Sequence, residues 1–296
     1  MNPFDFYGPQ FLIFYLILGA VVISASVYLR RQAESGIPTK TEFSDPYLLA
    51  YLRGGPNESL RIAVVSLIDR ELLEVQKTSK KNVTDLVTKK RVTADIARRP
   101  IEKALLKKFE TSEAATTIFG DSELESSCEE YKKQLTQLGY LPDEATKAAR
   151  RQRFLIGALI LLSVATVKII VALSRGRYNI LFLIILAVIF PICLYRISNP
   201  FRAARGDRML KDLRTLFSSL KKRGKSIKPG GGTSELALLI GVFGLGALSA
   251  RAFPYAKKLY PKATSSGSSC GSSCGSSCGS SCGGGGCGGG CGGCGG

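Results

Sequence analysis

The feature that most constrains this chain is a set of long apolar runs with almost no charge, each bounded by arginine or lysine. From Gly8 to Leu29 no side chain is charged. Gln10 to Leu29 alone covers about 30 Å at the helical rise of ~1.5 Å per residue, the thickness of a bilayer's hydrocarbon core. The run ends at Arg30 and Arg31, and the residues before it carry only the charge of Asp5. A cleaved leader has the opposite order, basic residues first and a small-residue cleavage site after. The expectation is an uncleaved anchor with the N-terminus outside and Arg30 on the cytoplasmic face.

Phe154–Leu173 and Tyr178–Tyr195 form two further runs, separated by the short basic turn from Ser174 to Arg177. They read as a helical hairpin. Lys168 interrupts the first of them near its outer end, where its stem can snorkel to the headgroups; the alternative is an intramembrane functional charge. Arg150, Arg151 and Arg153 precede the hairpin. After it, Arg196 to Lys228 holds eleven Lys or Arg against Asp207 and Asp212. Both flanks therefore favour the cytoplasm. Leu236–Ala250 is a shorter uncharged run with Gly241, Gly244 and Gly246. It is expected to be a fourth, short span, which would put the tail outside the cytoplasm; the alternative is a helix buried against its neighbours.

The net charge of +18 suits nucleic acid or an anionic membrane surface, and half of the excess lies beside the apolar runs. The absence of His removes histidine-based acid–base chemistry and histidine metal ligands.

Between Asp45 and Pro142 the pattern changes to short amphipathic helices and a ribbon. Asp45 can cap a helix that stops at Gly54-Gly55-Pro56, and Asn57 can cap the next, striped with Leu60, Ala63, Val64, Leu67 and Ile68. Leu72–Val75 and Val83–Val92 read as paired strands, followed by helices near Ile101–Glu110 and Glu123–Leu138. This order predicts a winged-helix-like α+β domain. Its second helix has Arg61 and Arg70 against Glu58, Asp69 and Glu71, a poor composition for a phosphate-lined groove. The ribbon is basic, with Lys77, Lys80, Lys81, Lys89, Lys90 and Arg91, and together with Lys221, Lys222 and Arg223 it offers candidate contacts to anionic lipid headgroups.

From Thr264 to Gly296 nearly every residue is Gly, Ser or Cys. No core can form from such a composition, so a disordered tail is expected when its thiols are reduced. Cys270, Cys274, Cys278, Cys282, Cys287, Cys291 and Cys294 are candidates for disulfide, modification or soft-metal chemistry. Only Cys291 and Cys294 have the CxxC spacing of a zinc half-site, and no second pair complements them. No metal site and no cofactor are expected.

Asn2–Tyr15 (NPFDFYGPQFLIFY) and Asp45–Val75, which contains YLRGGP and LIDRELLEV, resemble a family of uncharacterised bacterial membrane proteins. In that family an NPFD-type motif precedes the first membrane helix, a winged-helix-like module follows, and a variable Gly/Cys-rich tail ends the chain. The resemblance covers most of the sequence and implies architecture only, with no activity attached. In such motifs the position of Glu71 is often Gly, which implies a different turn before Leu72 here. Physically, Phe4 and Phe6 suit headgroup depth and Gly8-Pro9 opens the helix.

The organisation expected is a motif and first span over 1–31, a cytoplasmic module over 32–153, a hairpin over 154–195, a basic cytoplasmic segment over 196–233, a short span over 234–253 and the tail over 254–296. The expected fold class is a mainly α integral membrane protein of the plasma (inner) membrane with three or four spans. The expected function is a membrane-anchored structural or interaction protein presenting a Cys/Gly-rich tail; the alternative is a precursor whose tail is a substrate for covalent modification, cross-linking or metal binding. No Ser/His/Asp, Cys/His, phosphate-loop or metalloprotease pattern is present, so no enzymatic activity is expected. The expected partners are the bilayer, its anionic headgroups and an unidentified protein or modifying enzyme, without nucleic acid.

Overall fold

The structure is a computed structural model that describes residues 8–34, 45–76, 86–89, 97, 99–174, 181–223, 234–249, 252–261 and 263. The N-terminal motif before Gly8, most of the basic ribbon tip and all seven tail cysteines lie outside the described residues. The fold is mainly helical, with one small three-stranded sheet.

Three helices, α1 (Gly8–Ala33), α7 (Glu144–Ser174) and α8 (Leu181–Ser198), pack side by side. All three are long and apolar enough to cross a membrane. Ile17, Val21, Leu159, Ile170, Leu181 and Phe182 are each more than half exposed. In water so continuous an apolar surface would be costly, whereas hydrocarbon solvates it and the helices satisfy their own backbone. The opposite faces meet in a core of Phe11, Tyr15, Leu161, Ala165, Leu183, Ala187 and Leu194. Close approach depends on Gly157: a Cβ there would lie 2.8 Å from Leu194 and 3.2 Å from Val22. Lys168 is half-buried, and its Nζ sits 4.7 Å from the ring centroid of Phe11, so a cation–π contact accompanies its position near the end of α7.

The second body begins with α2 (Pro46–Gly54). Asp45 caps it by accepting from the N–H groups of Tyr47, at 2.8 Å, and Leu48, at 3.4 Å. Gly55 at φ 79° ends it and turns the chain into α3 (Pro56–Asp69). The cap of α3 is thus Gly55, not Asn57, because Pro56 already occupies the first helical position with its fixed φ. β1 (Leu73–Gln76) pairs antiparallel with β2 (Leu86–Lys89), and β2 with β3 (Glu113–Ala114), a third strand beyond the expected ribbon. α4 (Pro100–Lys108) follows β2 in the chain, and the expected single helix over Glu123–Leu138 is broken at Cys128 into α5 (Ser122–Ser127) and α6 (Glu129–Gln137). Burial pushes the Cys128 thiol up to about 11, which keeps it protonated and unreactive.

Glu71 lies at φ 58°, the one described non-glycine residue in the left-handed region. The turn before Leu72 therefore adopts the conformation a glycine accepts freely, with a side chain in its place. Glu71→Gly is expected to raise stability by up to about 1 kcal/mol, since relief of αL strain outweighs the entropy glycine adds to the unfolded chain. A melting temperature unchanged or lowered in the variant contradicts this.

After α8, the chain forms α9 (Ala204–Leu216) and α10 (Ser218–Arg223), then α11 (Ser234–Phe243), a 3-10 turn (Leu245–Ala247) and α12 (Pro254–Leu259). The expected fourth span over Leu236–Ala250 is not a membrane-length helix. α11 has ten residues, about 15 Å of rise, and Gly244 at φ 89° ends it. Its apolar side chains serve another purpose: Leu236, Ile240 and Leu245, with Phe253, Ala256, Leu259 and Tyr260, share one core with Tyr47, Leu52, Leu60 and Leu67. Gly241 permits this packing, since a Cβ there would stand 2.8 Å from the carbonyl oxygen of Pro46. The run is apolar because it is interior to the module, and the described chain ends at residue 263, against that same core.

Candidate functional site at the junction of bundle and module

The inward faces of the three long helices end in polar groups. On α1 the buried positions Phe11, Tyr15 and Gly19 continue down the same stripe to Glu34. On α7, Arg150 lies two turns before Gly157 on the face that carries Leu161. α8 stops at Ser198 because Pro200 disfavours helix at the preceding residue, and its final carbonyls are left to find other donors.

Arg150 and Glu34 meet at this level, 3% and 7% exposed respectively. Arg150 Nε donates to Glu34 Oε1 at 2.7 Å and Nη2 to Oε2 at 2.9 Å, a bidentate pair. The same guanidinium donates to the carbonyls of Pro200, at 2.7 Å, and Arg202, at 3.1 Å. Glu34 Oε2 also accepts from the Ala204 N–H at 2.9 Å and from Arg30 Nε at 3.4 Å. Burial alone would raise the Glu34 carboxyl, but the hydrogen bonds from Arg150 and Ala204 and the charges of Arg150 and Arg30 hold it below the usual carboxylate range.

Arg202 extends the network into the module. Its Nε donates to Asp207 Oδ1 at 2.7 Å and its Nη1 to the Arg53 carbonyl at 2.6 Å, at the end of α2. Ala203 N–H donates to the Tyr140 carbonyl at 3.0 Å, and Gly206 leaves no room for a side chain against that carbonyl. One buried ionic knot thus ties α1, α7, the α8–α9 connection and α2 together. Its charges are consumed by internal partners, an arrangement suited to fixing geometry.

A second buried polar group lies within the module. Tyr47 OH donates to Glu102 Oε1 at 2.7 Å, and Arg70 Nη1 donates to the same oxygen at 2.8 Å. Burial, then the charge of Glu102, raises the Tyr47 hydroxyl, so it remains a donor. α3 beside it has one exposed residue, Asn57. Arg61 is held between Glu58 and the rings of Phe119, at 4.8 Å, and Tyr260, at 5.9 Å. A helix so enclosed has no face to lay in a nucleic-acid groove.

Of the residues singled out by sequence, Lys221 and Lys222 lie exposed on α10, with Lys221 Nζ 5.3 Å above the Phe243 ring. The backbone of Arg223 ends α10, and that of Lys89 ends β2 opposite Leu73. Lys80, Lys81, Lys90, Arg91 and Cys270, Cys274, Cys278, Cys282, Cys287, Cys291 and Cys294 are outside the described residues. Among the described residues no group of three Cys, Asp or Glu is placed to hold a metal ion. Sequence reading missed Glu34 and treated Arg150 only as part of a basic flank. The signal was a lone acid three residues after the Arg30-Arg31 pair, with Asn199-Pro200-Phe201-Arg202 following the last long run. A scan of the chain against family models, curated proteins and solved structures gives no match.

Proposed function

We propose that this is a membrane-anchored structural or interaction protein in which three spans hold a winged-helix-like module rigidly at the cytoplasmic face, and the module carries the Cys/Gly-rich tail into the same compartment. The observation that carries this reading is the buried Glu34–Arg150 knot, which is built to fix one body against another and offers no free acid or base. The basic flanks at Arg30, Arg150–Arg153 and 196–228 support the cytoplasmic placement of the module. The position of residue 263 against the module core supports the tail's placement there too, in place of the opposite side. The enclosure of α3 supports a lipid or protein partner over nucleic acid.

Truncation after residue 263 separates anchor from tail. The shortened chain is expected to remain membrane-bound with an unchanged melting temperature and to lose thiol-dependent complexes seen on non-reducing gels of cross-linked cells. A truncation that unfolds the module, or leaves every complex intact, contradicts the proposal. The runner-up reading, a tail matured by covalent modification, is favoured by seven thiols in 27 residues. It requires the intact mass to depart from that of the unmodified sequence.

A further inference from the structure

Because Arg150 bonds both Glu34 and the Pro200 carbonyl, these three points mark one level of the bundle. From that level, α1 and α8 run back into the bundle and α7 runs forward into it. Three residues before Glu34 on α1 stands Arg31; one and three residues after Arg150 on α7 stand Arg151 and Arg153; four before Pro200 stands Arg196. Measured along the helix axes, all four therefore stand within about 6 Å of the level of the knot, on its bilayer side. Arg31, Arg151 and Arg196 are exposed, and none of them pairs with an acidic side chain among the described residues. Arg153 holds its Nη1 out of solvent with no acceptor among the described residues.

Depth can be fixed independently. Tyr28 and Tyr195, 62% and 56% exposed, point outward from α1 and α8 about 9 and 7–8 Å below the knot. Exposed tyrosines at such a depth belong to the boundary where a ring can rest in acyl chain and its hydroxyl in headgroups. From Arg153 to Ser174 α7 rises about 32 Å, one hydrocarbon thickness. The arginines thus stand just above the aromatic boundary, at the height of lipid phosphates.

We propose that Arg31, Arg151, Arg153 and Arg196 form a collar that binds the phosphodiester headgroups of anionic phospholipids. The planar guanidinium offers paired donors to phosphate oxygens, and one group from each of the three helices lets bound lipid brace the bundle where the module is attached. The inference rests on α1, α7 and α8 spanning a bilayer, and it is independent of the tail.

The test uses the full-length protein purified in a non-ionic detergent, with thermal melting and native mass spectrometry as readouts. Added phosphatidylglycerol is expected to raise the melting temperature and to remain bound in the gas phase, while phosphatidylcholine and inorganic phosphate do neither. Each Arg→Gln change at 31, 151 or 196 should weaken the phosphatidylglycerol effect about fivefold, and the triple variant roughly a hundredfold. Lys132→Gln/Lys133→Gln, exposed on α6 of the module, should leave it unchanged. Equal stabilisation by phosphatidylcholine, an equal response to inorganic phosphate, or equal loss in the lysine variant would overturn the collar. If the triple variant is not recovered, the three single variants decide. Loss of the protein from the membrane fraction in its native form would instead refute the spans themselves, so the two failures are distinguishable.

Discussion

Replacing Arg150 with alanine is expected to destabilise the protein by about 3–5 kcal/mol, the cost of stranding a buried charge. The guanidinium supplies four hydrogen bonds, two to Glu34 and two to the carbonyls of Pro200 and Arg202. Removing it leaves the carboxylate out of water with only Ala204 N–H and the more distant Arg30, and it also frees two carbonyls in the α8–α9 connection. The effect depends on pH in a definite direction. In the native protein the Glu34 carboxyl is held low, so its contribution is present above the unfolded carboxylate pKa of ~4.3 and is lost as pH falls through the lower folded value. In Arg150→Ala burial dominates and the carboxyl rises. Its cost then grows with pH, so the gap between the two proteins should narrow on acidification. Adding Glu34→Gln to Arg150→Ala should recover part of the loss, because the stranded charge is gone. Thermal melts in detergent between pH 3 and 8 measure all of this. A loss of less than about 1 kcal/mol, the range of an exposed pair, would show that the knot is solvated.

The three long apolar helices were legible because their signal is one-dimensional: a run of apolar residues of bilayer length needs no partner to be recognised. The Asp45 cap, the Gly54-Gly55-Pro56 break and the ribbon after Glu71 were legible for a similar reason, being local chemistry. The fourth run was misread where two environments ask for the same residues. Leu236, Leu239 and Ile240 suit lipid and a protein core equally, and what assigns them to the core is the approach of Gly241 to Pro46, 195 positions away in the chain. Glu34 and Arg150 are separated by 116 residues. Each looks like an ordinary flank residue until the bundle brings their faces together, which is why charge counting gives an expected polarity for the spans and says nothing of the clamp.

If α11 and α12 belong to the module, residues on α12 and α6 must always face the same compartment. Lys257 on α12 and Lys132 on α6 are both exposed and serve as reporter positions. In a chain truncated after 263, Lys257→Cys, Lys132→Cys and Asp5→Cys would be compared one at a time with a membrane-impermeant maleimide, on intact cells and on inverted vesicles. The native Cys128 adds little background, since burial holds its thiol protonated. The expected result is labelling of Asp5→Cys only in intact cells and of both lysine reporters only in inverted vesicles. Labelling of Lys257→Cys on the side of Asp5→Cys would place a fourth crossing between them and contradict the three-span fold.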